Sequence, residues 1–406
     1  MLTLWSRASR VGDEEHFLGM MRVRPPHIAE KVHDNWFRLL PRVWRERVKG
    51  EIHLRIKYIP AAPAAAPMQA SDFEVLKMLG KGNFGKVLQV RKKDTGRIYA
   101  MKILIKKDVV EKREVQHTLS ERNVLIQATS PFLVGLKFAF QTPEKLYLVL
   151  DFMNGGELFY HLQSETAFSE SRARFYTAEL ISAIAHLHRY NIIYRDLKPE
   201  NILLDSNGHI ALTDFGLCKE NISADKITNT FCGTAEYLAP EVLLGRGYGK
   251  PVDWWSLGIL FYEMTTGLPP FFSENTNMMF KKILHAEVTY PASFPPGAKA
   301  FVQGLLTRDP RHRLGTVGGS HEVMHHSYMA DIDWNRLEQR QIQPPFKPAV
   351  TSDKDSRYFD PQFTEAVITE TIQDGSHYLS QTTQNNFVGF SYRGEATPMA
   401  NTSHLH

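Results

Sequence analysis

The chain has 406 residues, of which 43% are hydrophobic and 23% charged, and a formal net charge of +4, enough for one large domain with extensions. Its two cysteines, Cys218 and Cys232, exclude a disulfide framework and point to an intracellular protein. No apolar run approaches the roughly 18–20 residues of a membrane span, and neither a secretory core near Met1 nor a lipidation signal at either end is read, so the expected location is the cytoplasm. Residues 1–59 form a basic N-terminal section; residues 1–70 hold 12 Lys/Arg against 7 Asp/Glu, so the rest of the chain is close to neutral. That balance suits peripheral contact with an anionic plasma membrane or an acidic partner; nothing in it calls for nucleic acid. Glu51 to Tyr58 alternates apolar and polar residues, a strand pattern. Residues 60–72 read as a Pro/Ala linker, because the prolines in Pro60–Pro67 favour extended backbone.

Next in the chain, Phe73–Leu79 and Val87–Lys92 read as strands flanking Gly80-Lys81-Gly82-Asn83-Phe84-Gly85-Lys86-Val87. Three glycines in this spacing also occur in dinucleotide-binding turns, but those open a helix, whereas here the glycines sit in a hairpin. A backbone without side chains in the way can close over a triphosphate. Lys102 follows on the strand Ile98–Ile103, within reach of the α- and β-phosphates. Glu121, on a predicted helix, is its expected partner; the value of such a pair is positional, since exposed ion pairs contribute only about 0–1 kcal/mol. Leu146–Met153 reads as a strand running into a connector, where the backbone around Asp151 and Met153 would read an adenine edge and Glu157 a ribose or a substrate. Leu79, Val87, Ala100 and Leu203 would form the apolar slot for the purine, although each alone is equally good core filler. Then come Tyr194-Arg195-Asp196-Leu197-Lys198-Pro199-Glu200-Asn201 and Asp214-Phe215-Gly216. Phosphoryl transfer requires an aligned hydroxyl and neutralised charge more than covalent help. Asp196 would accept or orient the hydroxyl and Lys198 face the phosphate, while Asn201 and Asp214 offer the oxygen ligands that magnesium requires.

From about Phe73 to Tyr328 these motifs resemble a serine/threonine protein kinase of the AGC group. The resemblance implies an α+β, bilobal fold with a small β-rich lobe, a large helical lobe and a C-terminal tail, using ATP and magnesium. Kinase domain and tail are expected at 73–328 and 329–395, with a flexible terminus at 396–406. Several residues favour this group: Tyr194 before Arg195-Asp196, the activation-segment run Thr230-Phe231-Cys232-Gly233-Thr234, and Ala239-Pro240-Glu241, whose glutamate would pair with Arg313. Asp253–Gly258 resembles the helix that anchors the catalytic loop. Phe387-Val388-Gly389-Phe390-Ser391-Tyr392 has the form of the group's hydrophobic motif, with Pro344–Pro348 as the tail's proline turn and Arg357–Pro361 as the segment covering the nucleotide. Core and tail are most similar to the serum/glucocorticoid-regulated kinases and their fungal Ypk-type relatives. Trp36–Pro41 with Glu51–Tyr58 resembles the closing strands of a C2-type domain.

Function follows from the resemblance as expectation. Thr230 and Ser391 would be phosphorylated, by a phosphoinositide-dependent kinase and a target-of-rapamycin complex respectively. Arg195, Lys219 and His117 would gather round the Thr230 phosphate, while Phe387, Phe390 and Tyr392 would dock on the small lobe and press the Glu121 helix into place. Glu157, Glu200 and Glu263 fall where related kinases meet basic residues, implying protein targets of the form Arg-x-Arg-x-x-Ser/Thr. The enzyme would act as a monomer. Two departures stand out: no proline lies between Phe363 and Phe387 to mark a turn-motif site, leaving Ser376, Ser380, Thr382 and Thr383 open, and Ala235 follows Thr234 where some members have proline. A catalytically silent ATP-binding scaffold is the alternative, but Lys102, Glu121, Asp196, Asn201 and Asp214 are all intact. A P-loop NTPase would need G-x-x-x-x-G-K-[ST], which the glycine run does not supply.

Overall fold

The computed structural model describes residues 2–5, 17–21, 32–40, 48–57, 68–82, 85–220, 228, 230, 232–292, 294–366 and 380–394. The chain divides into two compact units, 1–67 and 68–406. In the first, β1 (Leu2–Trp5) pairs antiparallel with β2 (Phe17–Met21), and β3 (Val32–Arg38) with β4 (Glu51–Lys57). In the second hairpin Trp36 stands opposite His53, their rings stacked at 4.9 Å. The Pro/Ala run 60–67 and the terminus 396–406 lie outside the described residues.

The second unit opens with β5 (Phe73–Gly82), β6 (Gly85–Lys92), β7 (Ile98–Ile105), β8 (Leu136–Gln141) and β9 (Lys145–Asp151), joined by β13 (Tyr392–Arg393) in one antiparallel sheet of order β13-β8-β9-β7-β6-β5. Side chains alternate across a strand, so Tyr99, Met101 and Ile103 join Phe73, Leu88, Val90 and Tyr147 in an outer core. Ala100, Lys102 and Leu104 are thereby turned to the other face, where Ala100 and Leu104 meet the main core. Strand parity thus aims Lys102 inward. Helices α1 (Lys106–Glu111) and α2 (Val115–Gln127) lie between β7 and β8, and α2 buries Thr118, Glu121, Val124 and Leu125, spaced along one face.

The large lobe is built on helices, with α3 (Leu158–Glu165), α4 (Glu170–Arg189), α5 (Pro240–Leu243) and α6 (Pro251–Thr266) nearest the cleft. Short strands β10 (Gly156–Glu157), β11 (Ile202–Leu204) and β12 (Ile210–Leu212) carry the loops between them. Ser169 caps α4, accepting from the Arg172 amide at 3.4 Å, and a stripe of Ala173, Tyr176, Leu180, Ile184 and Leu187 along the helix is fully buried. Pro251 opens α6, and Gly267, at φ +88°, closes it in the left-handed conformation that favours glycine. Glu241 at the head of α5 receives both guanidinium arms of Arg313, at 2.6 and 2.8 Å, and both residues are buried. Among the described residues no helix is long and apolar enough to cross a membrane.

The tail is woven into both lobes. Phe346 stacks on the Arg172 guanidinium at 3.7 Å, and its carbonyl occupies the space a side chain on Gly208 would need. Tyr358 fills the corresponding space at Gly156, and Phe359 stacks on Phe152 of the connector at 5.6 Å. Further on, Phe387 and Phe390 are fully buried. Lys106 donates to Gln384 at 2.7 Å, Gln141 to the Phe387 carbonyl at 2.8 Å, and Arg122 of α2 to the Phe390 carbonyl at 3.0 Å. Tyr392 pairs with Ala139, so the tail also adds an edge strand to the sheet. Of the turn-motif candidates, Ser380 and Thr383 hydrogen-bond each other at 2.9 Å, while Ser376 lies outside the described residues, as does the Thr382 side chain.

Two stability predictions follow from these contacts. Arg313→Ala leaves Glu241 buried and unpaired, so it should cost about 3–5 kcal/mol in denaturant unfolding; a loss under about 1 kcal/mol would show that the pair behaves like a surface one. Phe390→Ala should release the tail, and amide exchange along Lys137–Phe140 should then accelerate; unchanged exchange would mean that the edge strand holds without its aromatic anchor.

Candidate active site

The hairpin and its glycines have separate reasons. Gly82 faces Gly85 in register, Lys81 faces Lys86, and Gly80 faces Val87, which is a hairpin and not a helix start. A side chain on Gly85 would strike the Ile103 carbonyl, so only glycine fits there. Gly80 and Gly82 instead border open space, with nothing within 4 Å of an added Cβ. The hairpin tip, Asn83 and Phe84, lies outside the described residues. Beneath it Lys102 donates to Glu121 at 2.7 Å and stands 3.8 Å from Asp214. Glu121 is only 4% exposed, so it reaches Lys102 from a dry site, where an unpaired charge would be costly. Burial works against the Lys102 ammonium, yet the facing Glu121 and Asp214 carboxylates outweigh it and hold its pKa above the usual lysine range.

The catalytic loop is pinned from below. Asp253, fully buried in the first turn of α6, accepts from the amides of Tyr194 and Arg195 at 3.0 and 2.9 Å and from His188 at 2.7 Å. Arg195 thereby holds φ +71°, a conformation few side chains adopt, and Asp214 holds φ +56°. Asn201 donates to the carbonyl and carboxylate of Asp196, both at 2.8 Å. Lys198 lies 3.3 Å from that carboxylate, and the Thr234 hydroxyl donates to it at 2.9 Å while accepting from Lys198 at 3.0 Å. Asp196 is therefore already placed to receive a hydroxyl. With its amide nitrogen spent on Asp196, Asn201 keeps its side-chain oxygen, and the half-exposed Asp214 carboxylate adds another; such a set fits magnesium.

The remaining residues lie as follows. Leu79 and Met153 are buried, while Val87, Ala100 and Leu203 remain half-buried around the cleft. The Asp151 carboxylate is engaged by Lys137 at 3.0 Å and its amide by the Gly135 carbonyl, so it offers the cleft no free side chain. Glu157 heads α3, and burial and then Glu200 raise its pKa. Burial pushes Glu263 up to about 7, with Glu200 and Glu236 adding to the rise and the hydrogen bond from Tyr237 opposing it. Glu157, Glu200 and Glu263 thus belong to one acidic group.

Of the residues expected around a Thr230 phosphate, one is linked to Thr230 through a tyrosine hydroxyl and the other two have the following partners. Arg195 reaches the Tyr248 hydroxyl at 3.1 Å, and that hydroxyl donates to the Thr230 carbonyl at 2.6 Å. Lys219 exchanges backbone hydrogen bonds with Ile193, and His117 bonds Glu114 at 2.5 Å. Thr230 and Ser391 are both exposed. Sequence reasoning missed Glu236 in the acidic group and the role of Thr234 between Asp196 and Lys198; the chain order, Thr234 to Glu236 beside the activation segment, was the available signal.

Comparison with known proteins agrees with this geometry. The protein kinase domain family matches residues 73–329, and the protein kinase C terminal domain matches residues 350–392. Serine/threonine-protein kinase gad8 of Schizosaccharomyces pombe is 51% identical over 392 residues, 97% of this chain and 67% of that protein. Serine/threonine-protein kinase YPK2/YKR2 of Saccharomyces cerevisiae is 54% identical over 350 residues, 86% of this chain and 51% of that protein. Serine/threonine-protein kinase Sgk2 of Homo sapiens is 48% identical over 353 residues, 86% of this chain and 94% of that protein. The chain spans about half to two thirds of the length of the fungal relatives. With a pinned catalytic loop, an ion-paired strand lysine and a docked tail matched by these relatives, the chain belongs to the protein kinase family, among the serine/threonine kinases of the AGC group.

Proposed function

We propose that this chain transfers the γ-phosphoryl group of ATP to serine or threonine in protein segments with arginines upstream, of the form Arg-x-Arg-x-x-Ser/Thr. The observation that carries the reading is the pairing of Lys102 with Glu121 beside Asp214, opposite an Asp196 that already accepts a hydroxyl. Lys102 holds the α- and β-phosphates, and Glu121 fixes Lys102. Asp196 aligns the substrate hydroxyl and Lys198 steadies the transferring group. Asn201 and Asp214 would hold magnesium, which when bound neutralises charge on the phosphate oxygens. The acidic group around Glu263 supplies carboxylates whose geometry suits guanidinium over ammonium.

Activation belongs to the same proposal. A phosphate on Thr230 adds about −1.5 to −2 charges to a residue whose backbone carbonyl is joined through the Tyr248 hydroxyl to Arg195, the neighbour of Asp196. One on Ser391 would act on a tail already seated against α2. Upstream kinases of the phosphoinositide-dependent and target-of-rapamycin types are the enzymes proposed for these sites, and the cytoplasm, with recruitment of the basic N-terminal section to anionic membrane, is the proposed place of action. An ATP-binding scaffold is less well supported, because no catalytic position carries a defect.

The decisive assay measures labelled phosphate entering an Arg-x-Arg-x-x-Ser peptide from ATP-magnesium, with enzyme phosphorylated at Thr230 and Asp196→Asn as control. Transfer that vanishes in the control is expected; absence of transfer by Thr230-phosphorylated enzyme with nucleotide bound would favour the scaffold. Acidity supplies a second test. With Glu263 titrating near pH 7, its carboxylate is ionised above that pH and protonated below it. The KM for the peptide should therefore rise roughly tenfold as pH falls from 8 to 6, and Glu263→Gln should be high and flat throughout. A wild-type profile that is itself flat would remove Glu263 from recognition.

A further inference from the structure

Three consecutive residues of α2 address three different parts of the molecule. Glu121 meets Lys102 at 2.7 Å. Arg122 donates to the tail, at the Phe390 carbonyl at 3.0 Å and the Gly389 carbonyl at 2.5 Å. Ser120 donates its hydroxyl to Glu220 at 2.8 Å, four residues beyond Asp214-Phe215-Gly216. Successive residues on a helix are about 100° apart, so this arrangement grips α2 from three sides. Glu220 is itself fixed: Lys219 beside it exchanges both backbone hydrogen bonds with Ile193, at 3.0 Å each, and Ile193 lies one residue before the Tyr194-Arg195 amides that Asp253 holds. A continuous path of hydrogen bonds and chain therefore joins the catalytic loop to Glu121.

We propose that Ser120 is a positioning residue for phosphoryl transfer: its hydroxyl ties the Glu121 helix to the start of the activation segment through Glu220. A hydroxyl donating to a carboxylate makes a charge-assisted bond, stronger and shorter than a neutral one. Its neighbours sharpen the requirement, since Ser120 stands next to Glu121 in sequence and against Glu220 in space, where an acidic group would be repelled. The tail and Ser120 then act on the same helix from different sides, so that Glu121 is set only when tail and activation segment are both in place. The idea rests on the kinase reading above, and deepens it.

Full-length variants phosphorylated at Thr230 test it by steady-state kinetics and amide exchange. Ser120→Ala should lower kcat about two- to tenfold, with unchanged peptide KM and melting temperature and with faster exchange along Val115–Gln127. Ser120→Thr, which keeps the hydroxyl, should restore kcat, and Ser120→Asp should lower it further. Glu220→Ala should match Ser120→Ala, and the double variant should be no worse than either single one, because both remove the same bond. Wild-type kcat in Ser120→Ala, or losses that multiply in the double variant, would overturn the assignment. Should the unaltered chain transfer no phosphate at all, the kinase reading fails instead, and exchange in α2 still decides whether Ser120 holds the helix.

Discussion

The ion pair between Lys102 and Glu121 is the contact on which the working parts converge. Neither partner is placed by its own neighbours alone. Lys102 faces inward because β7 alternates, with Met101 and Ile103 locked in the outer core. Glu121 is buried on a helix that also hydrogen-bonds the tail through Arg122 and Glu220, at the start of the activation segment, through Ser120. A buried carboxylate without a partner is expensive, so the helix is most stable where the lysine stands. That dependence ties the position of α2 to that of the Lys102 ammonium. The small lobe is thus a device for setting one angle.

The large lobe works differently. Its fixed point is Asp253, which takes two catalytic-loop amides and His188 and so holds Arg195 in a strained conformation. Strain of about 1–3 kcal/mol persists only where the surroundings over-determine it, and here three hydrogen bonds to one buried carboxylate do so. The buried Glu241–Arg313 pair ties α5 to the loop after α8 (α7, Thr276–His285, and α8, Pro296–Leu305, also contribute to the core). The catalytic loop is therefore held by one buried carboxylate, while Lys102 is held by a carboxylate on a separate helix.

Much of this was legible in the chain because the decisive residues are close in sequence. Asp196, Lys198 and Asn201 share one loop, so their order alone brings Asn201 onto Asp196. The glycine hairpin was legible for the same reason, its flanking strands excluding a helix. Contacts made between distant segments were harder to read. A two-residue strand such as β13 has no periodicity, and its pairing with β8 lies beside two buried aromatics, Phe387 and Phe390, from a distant part of the chain. Gly156 and Gly208 look like ordinary turn residues until the tail's Tyr358 and Phe346 are found in the space they leave. The Glu114 partner of His117, three residues away on the same stretch of chain, was not read in advance either. Charge partners are settled by distance, which sequence order does not give.

The most direct test of this account compares nucleotide binding with transfer in Glu121→Gln, which keeps the shape of the side chain and removes its charge. If the pair positions Lys102, the variant should still bind ATP-magnesium, while single-turnover transfer to peptide falls about a hundredfold or more. Transfer at the unaltered rate, with Glu121 neutral, would contradict the central claim and move control of the cleft elsewhere.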